Sequence, residues 1–257
     1  MTGVQTCAHP ISTVSYFHKS IGGFHGAKLK RFQELREFYL DRELSIATQI
    51  ADAGVNDSTA KIYLNRSCPI LNMLNTRYII TQKNQGSVPF KNPSANSNAW
   101  TVSQIQWAPS ADSEIVWTGK INTKTTAVIN EPKFKSQLNG WDKISGSPAS
   151  IQLKNYSPNY LKYEFESAQQ QLVVFSEIWY PAGWKATIDG NPAPHVCANY
   201  VLRAMMVPAG KHTIEFKFEP ESYLTGEKIA LAGVGIYYAG IVGGLALIYV
   251  RRKKKNA

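Results

Sequence analysis

The stretch IALAGVGIYYAGIVGGLALIYV, Ile229 to Val250, runs for 22 residues without a charge. At ~1.5 Å rise per residue, a helix of that length crosses a hydrocarbon core of ~30 Å. Five cations, Arg251 to Lys255, follow it directly, whereas Glu227 and Lys228 before it form a neutral pair. Because Lys and Arg are enriched on cytoplasmic flanks, the sequence predicts one transmembrane helix with the tail inside and the main body outside. A buried core helix is the alternative, but such a helix is rarely apolar on every face.

The tail contributes half of the net charge of +10. Five of the 28 Lys and Arg residues lie there, which leaves 23 basic residues against 18 acidic ones. No nucleic-acid-binding signature accompanies the charge, so the composition favours a lipid bilayer as partner and excludes nucleic acid. The cysteines, Cys7, Cys68 and Cys197, lack zinc-ligand spacing. A disulfide between Cys68 and Cys197 and a pair of buried thiols are both compatible with the sequence.

The N-terminal string MTGVQTCAHPIS, residues 1–12, has neither the basic region nor the apolar core of a signal peptide. It looks like a translated sequencing adapter, so residues 1–12 are set aside in the fold prediction. We then expect the natural protein to continue upstream, with membrane segments that place this body outside. A tail-anchored cytoplasmic protein is the alternative, but its basic tail would have to cross the membrane.

Two regions precede the C-terminal part of the chain. Residues 13–55 are predicted to form a Gly-rich connector and an amphipathic helix over 27–53, and residues 56–148 a mixed α/β segment. Residues 83–98, rich in Asn, Ser and Pro, are predicted to be a polar loop, and Ala99–Trp107 a strand. The apolar positions of the amphipathic helix recur at three- and four-residue steps; they are Leu29, Phe32, Leu35, Phe38 and Tyr39.

Residues 149–223 contain six short runs of alternating polarity, which predict an antiparallel β-sandwich. The run Leu172–Trp179 is largely apolar on both faces and predicts a central strand, whereas Thr213–Phe218 predicts a strand with one wet face. The expected fold class is therefore α+β, with a C-terminal antiparallel sandwich followed by a transmembrane helix at 229–250 and a basic tail at 251–257. The six predicted strands are Ala149–Asn155, Tyr160–Glu166, Leu172–Trp179, Trp184–Ile188, Val201–Val207 and Thr213–Phe218.

Five strings occur in the chain in this order: HKSIGGFHGAKLKRFQEL at 18–35, LNMLNTRYII at 71–80, SNAW at 97–100, FSEIWYPAGWKATIDG at 175–190 and NYVLRAMMVPAGKHTIEFKFEP at 199–220. Together they resemble the C-terminal region of the YfhO family of bacterial membrane proteins, most closely members from the Bacteroidetes. The resemblance implies a polytopic protein of type-C glycosyltransferase architecture that transfers sugars from polyprenyl-phosphate carriers to cell-envelope acceptors. It also implies a periplasmic location for the body. The family's expected catalytic carboxylates lie in an early loop outside this sequence, so the resemblance assigns no catalytic residue here.

The residues themselves lack the marks of catalysis. No H-E-x-x-H spacing, nucleophile elbow or other metal or catalytic motif is present, so the sequence predicts no metal, no cofactor and no catalytic residue within this chain. Glu177 and Asp189 are the best pair of carboxylates for glycoside hydrolysis. Asp189, followed by Gly190, is better explained as a turn residue.

A Gly-rich segment before the amphipathic helix is a candidate phosphate site. Its glycines expose backbone amides beside cations, and helix N-termini favour anions. The segment is expected to hold the phosphate of a lipid-linked sugar, and a flexible connector is the alternative. The residues concerned are His18, Lys19, Gly22, Gly23, His25 and Lys28.

Two further groups of residues are candidates for contacts. Trp179, Tyr180 and Trp184 surround a turn and are predicted to touch an envelope glycan, although aromatic residues of this kind often belong to the core. A non-enzymatic glycan-binding envelope module is accordingly the alternative function. Small residues of the membrane helix are predicted to pack against upstream transmembrane helices of the full-length protein, with self-association as the alternative. They are Gly235, Ala239, Gly240, Gly243 and Gly244.

Overall fold

The chain combines helices, antiparallel sheets and a long C-terminal apolar helix, so the predicted α+β class with a sandwich is confirmed. Two compact units are formed, one by residues 1–179 with 186–216 and the other by residues 180–185 with 217–257. The structure is a computed structural model, and it describes residues 4–6, 20–22, 29–83, 86–138, 140, 142, 144 and 146–255.

The predicted amphipathic helix is found as one helical run from Lys30 to Asp52, but its buried face differs from the prediction. Leu29 and Phe38 are exposed, whereas Leu35, Leu40 and Leu44 are buried. For Phe38 the cause is a π turn at Arg36–Leu40, whose i→i+5 hydrogen bonding places residues five apart, such as Leu35 and Leu40, on the same face. The helical elements are α1 (Lys30–Leu35), the π turn (Arg36–Leu40), α2 (Asp41–Asp52), α3 (Asp57–Ser67), α4 (Pro69–Met73), α5 (Ala111–Thr118), α6 (Glu131–Phe134) and α7 (Glu221–Lys255).

A buried carboxylate joins α2 to α4. The amides of Ile70 and Leu71 donate to the two oxygens of Glu43 at 3.2 Å and 2.8 Å. Pro69, the first residue of α4, has no amide proton, so the two bonds satisfy the donors that follow it. Burial raises the pKa of Glu43 to about 8, although the two amides lower it.

Stability should therefore fall as the pH rises from about 5 to about 8. Over this window the folded chain keeps a proton on Glu43 that the unfolded chain has lost, so a rise in pH favours unfolding. Glu43→Gln should flatten this part of the pH profile, and Glu37→Gln, at an exposed site nearby, should leave it unchanged. Denaturant unfolding at a series of pH values measures the slope; equal slopes for the parent and Glu43→Gln would contradict the assignment.

A six-stranded sheet in the first unit packs against helices of the same unit on one side. Its order is β4-β9-β13-β12-β6-β5, with β5 and β6 parallel and the other pairs antiparallel. Ala99–Trp107, predicted as one strand, is bent at Ser103 into β4 and β5. β4 and β5 are the two edge strands of the sheet. The end of β4 lies close to the start of β5, because Val102 and Gln104 are two residues apart, within ~7.6 Å. The strands are β4 (Ala99–Val102), β5 (Gln104–Ala108), β6 (Thr126–Asn130), β9 (Gln171–Ile178), β12 (Val196–Ala198) and β13 (Leu202–Val207).

A five-stranded sheet packs against the other side of this sheet. Its order is β11-β10-β14-β8-β7. The rings of Tyr163, Phe175 and Phe216, all fully buried, meet edge to face between the sheets, with centroids 4.9 to 6.3 Å apart. The strands are β7 (Ala149–Ser157), β8 (Tyr160–Ser167), β10 (Trp184–Ile188), β11 (Asn191–Pro192) and β14 (Gly210–Phe218).

Both strand-level predictions for the sandwich are confirmed. β9 lies between β4 and β13, and its residues are buried on both faces as far as Glu177. In β14, Ile214 and Phe216 are fully buried, whereas Lys217 is exposed. The sheet that contains β9 also includes three strands from residues 99–130, which are predicted to lie in the segment before the sandwich.

Several elements were not anticipated. The polar loop predicted at 83–98 contains a strand, β3 (Gly86–Lys91), which forms an antiparallel hairpin with β2 (Tyr78–Lys83). A further strand, β1 (Val4–Thr6), pairs parallel with β2 and lies within residues 1–12, for which the sequence predicts no element. Cys68 and Cys197 are buried free thiols, so the disulfide that the sequence left open is not formed.

Candidate functional site

An open polar groove of about 500 Å³ lies on the outer face of the five-stranded sheet. Alternating residues of β7, β8 and β14 point into it, because side chains on a strand alternate between faces. Two cross-strand ion pairs line it, Lys154 to Glu164 at 2.9 Å and Lys211 to Glu166 at 3.3 Å. The groove therefore offers closely spaced donors and acceptors of the kind that bind sugar hydroxyls. Ser150, Gln152, Asp189, His212 and Thr213 complete its polar lining.

Asp189 is held at one end of the groove by its turn. It has φ 51° and Gly190 φ 81°, the left-handed pair that a tight hairpin between β10 and β11 requires. One carboxylate oxygen accepts from the Thr213 amide at 2.7 Å and the other lies 2.6 Å from Nδ1 of His212. The hydrogen bond to His212 lowers the pKa of Asp189, and the same bond raises the pKa of His212. Asp189 is thus a turn residue, and Glu177 is buried outside the lining of this groove.

The predicted aromatic contacts have packing partners of their own. Trp179 meets the ring of Phe134 edge to face at 5.6 Å. In the second unit, Trp184 lies against Phe218 with ring centroids 5.2 Å apart, and Tyr180 is exposed. Glycan contact by Trp179, Tyr180 and Trp184 stays a prediction.

Only one of the six residues predicted to bind the phosphate, Gly22, is described. Gly22 donates its amide to the Ser20 hydroxyl at 3.1 Å. His18, Lys19, Gly23, His25 and Lys28 lie outside the described residues, so phosphate binding here stays a prediction. No group of His, Cys, Asp and Glu suited to a metal ion occurs among the residues that the structure does describe.

A buried ion pair, which local sequence patterns could not reveal, fastens α1 to the sheet. The guanidinium of Arg31 pairs with Glu114, whose side chain is fully buried, and it donates to Sγ of Cys197 at 3.1 Å. It also lies 4.2 Å above the ring of Tyr200, whose amide donates to Glu114 at 3.2 Å. These contacts hold the start of the helical layer at one place on the sheet.

The C-terminal helix α7 presents its apolar surface on all sides. By length and composition, residues Glu221–Lys254 are able to cross a membrane, and none of that apolar surface is buried. A Cβ added at Gly235, Gly240, Gly243 or Gly244 would meet nothing within 4 Å, and Ala239 is exposed as well. Packing of this small-residue face against upstream helices stays a prediction.

Comparison with protein families gives a match to the family described as bacterial membrane protein YfhO, over residues 122–230. The match covers less than half of the chain. No curated protein and no solved structure was found to match the chain. The YfhO match and the apolar helix together place the chain at a membrane, as the sequence predicted. The finer inferences, Bacteroidetes origin and an adapter-derived start, remain untested.

The matched region, residues 122–230, contains the strands of the sandwich other than β4 and β5, together with the first residues of the apolar helix. It begins before β6, includes every strand from β7 to β14, and ends at Ala230 within α7. The polar groove therefore lies entirely within the matched region, whereas Arg31 and Glu114 lie outside it.

Proposed function

We propose that this chain is the C-terminal extracytoplasmic accessory region and last membrane helix of a glycosyltransferase that uses polyprenyl-phosphate sugars to modify cell-envelope glycans. The observation that carries the proposal is the YfhO match, which includes most strands of the sandwich and the start of the apolar helix. The accessory region holds no catalytic residue and no cofactor in this proposal. Its part is to present a folded surface beside the enzyme's membrane core.

The charge distribution around α7 supports an extracytoplasmic body. Arg251 to Lys255 follow the apolar stretch, and only the neutral pair Glu227 and Lys228 precedes it. Positively charged flanks are retained on the cytoplasmic side during insertion. The body, residues 13–222, is accordingly assigned to the periplasm.

Protease applied to spheroplasts should digest the body and spare a tag at the C-terminus, when the chain is produced behind an export signal. A variant with the five tail cations changed to Gln should lose this uniform orientation, because it lacks the charge that retains the tail. A body that stays protected while the tag is cleaved would overturn the assignment.

A non-enzymatic glycan-binding module is the second candidate function, and the polar groove on the outer face of the sheet favours it. The coding sequence upstream of residue 13 distinguishes the two. The glycosyltransferase proposal requires about a dozen hydrophobic segments and an early extracytoplasmic loop with carboxylates, neither of which a glycan-binding module needs. An upstream sequence that lacks both would refute the glycosyltransferase proposal.

A further inference from the structure

A second pocket, distant in sequence from the groove, lies where the β2–β3 hairpin meets the Asn-rich loop that follows it. It has a volume of about 420 Å³, within the range of small-ligand pockets. Arg77 and Lys91 are its cations, and none of the described residues that line it is acidic. Such a pocket attracts an anion, since no carboxylate of its own lining neutralises it. The remaining lining residues are Asn75, Tyr78, Asn92, Pro93, Ala95 and Ser97.

The guanidinium of Arg77 is held in place by two amide side chains. Nε donates to Oδ1 of Asn75 at 3.4 Å and Nη2 donates to Oδ1 of Asn98 at 3.3 Å. Asn75 in turn donates to Asn98 at 2.9 Å, so the three side chains form one network. The network uses Nε and Nη2 of Arg77. Among the described residues, no hydrogen bond to Nη1 is found, so Nη1 can donate to a ligand. Arginine held in this way suits a phosphate or carboxylate oxygen.

The loop beneath the pocket is rigidly supported. Asn92 is buried, and it donates to Oδ1 of Asn72 at 3.0 Å and to the Thr76 carbonyl at 2.9 Å. Asn75 and Ser97 both adopt left-handed backbone conformations, with φ 54° and 77°. Side chains other than glycine adopt such conformations at a cost, and the surrounding contacts must maintain them. These contacts fix the backbone of the loop that lines the pocket.

The Asn-rich loop is also tied to two neighbouring segments. Ser94 donates to the Lys61 carbonyl at 2.8 Å, and Asn96 donates to the hydroxyl of Thr123 at 3.1 Å.

An exposed aromatic ring lies beside the cations. Tyr78 is paired across the hairpin with Lys91, so their side chains share one face of the ribbon. The Tyr78 side chain is 42% exposed, which leaves its ring accessible to a ligand. An aromatic face suits the C–H face of a sugar ring, while the cations suit an anionic substituent.

We infer that this pocket binds a saccharide that carries an anionic group, a phosphate or a carboxylate. Arg77 and Lys91 bind the anionic group, and the ring of Tyr78 packs against the sugar. The inference is independent of the glycosyltransferase proposal, because it rests on the pocket alone and holds equally for a glycan-binding module.

Calorimetric titration of the whole chain in a non-ionic detergent tests the inference. Glucose 1-phosphate and glucuronate are the two probes, and they distinguish phosphate from carboxylate recognition; glucose and inorganic phosphate are the references. At least one probe should bind at least about tenfold more tightly than either reference, since charge and ring contacts act together. The inference would be overturned if neither probe binds, or if inorganic phosphate alone binds as tightly as the probes.

Matched variants locate the binding. Lys91→Ala changes an exposed residue and should lower the affinity for the bound probe about tenfold. Arg77→Gln should lower this affinity at least as much. Tyr78→Ala should weaken the sugar probe and leave the affinity for inorganic phosphate unchanged. Lys120→Ala removes an exposed lysine outside the pocket and should have no effect. Thermal unfolding checks that each variant is folded, and unchanged binding in folded Lys91→Ala would contradict the site.

Discussion

Phe216→Ala is expected to lower the free energy of unfolding by ~3–5 kcal/mol. The side chain is fully buried between the two sheets and meets Phe175 at 5.0 Å and Tyr163 at 6.3 Å. Its removal leaves a cavity that the neighbouring rings, fixed on separate sheets, fill only in part. Denaturant unfolding of the whole chain in detergent, followed by tryptophan fluorescence, measures the loss.

The neighbouring position supplies the control. Lys217 follows Phe216 on the same strand but is exposed, so Lys217→Ala should change the free energy by no more than ~0.5 kcal/mol. The whole chain is needed, because the sheet opposite β14 contains strands from residues 99–130. Similar small effects at both positions would show that the register of β14 is wrong.

Arg31→Met should destabilise the chain by ~3–5 kcal/mol near neutral pH, because it leaves the buried carboxylate of Glu114 without its counter-charge. Burial raises the pKa of Glu114 even beside Arg31, and loss of the guanidinium removes the main opposing influence. The folded variant then holds a proton on Glu114 that the unfolded chain releases as the pH rises above ~4.5. The loss should accordingly be smaller at pH 5 than at pH 8.

Two further variants separate the charge from the packing. Arg31→Met combined with Glu114→Gln should recover most of the stability, since the amide still accepts from the Tyr200 amide and carries no charge. Arg36→Met breaks a more exposed pair with Asp41, at 3.0 Å, and should cost at most ~1 kcal/mol. Equal losses for Arg31→Met and Arg36→Met would contradict a buried role for Arg31.

The local pattern of the sequence predicted most strands of the sandwich because their burial follows the alternation of side chains. The alternation predicted burial on both faces of β9 and on one face of β14. The pattern could not reveal which strands pair across long separations, so β4 was not assigned to the sheet of β9. It also failed at the π turn, where Leu35 and Leu40 share a face only because the helix locally widens.

The candidate sites were harder to predict because they depend on register and on distant pairs. The groove brings together Lys154, Glu166 and Asp189 only after β7, β8 and β14 are aligned. Arg31 and Glu114 are 83 residues apart, and no local pattern connects them. The Asn-rich segment was predicted only as a polar loop, although its asparagines, with the cation Arg77, carry a network of side-chain hydrogen bonds.

The strand order of the six-stranded sheet also constrains how the chain acquires its structure during synthesis. β4 and the pair β5–β6 flank the sheet, whereas its middle strands β9, β12 and β13 come from residues 171–207. Leu172, Val174 and Leu202 of these strands belong to the apolar cluster that the sheet shares with the helices. A nascent chain that ends before Gln171 therefore leaves the apolar surface of the helices uncovered. The pairing of β4 and β6 with strands from residues 171–207 is non-local, and pairing of this kind is slow. Chaperones and proteases would meet this surface until the last strands emerge.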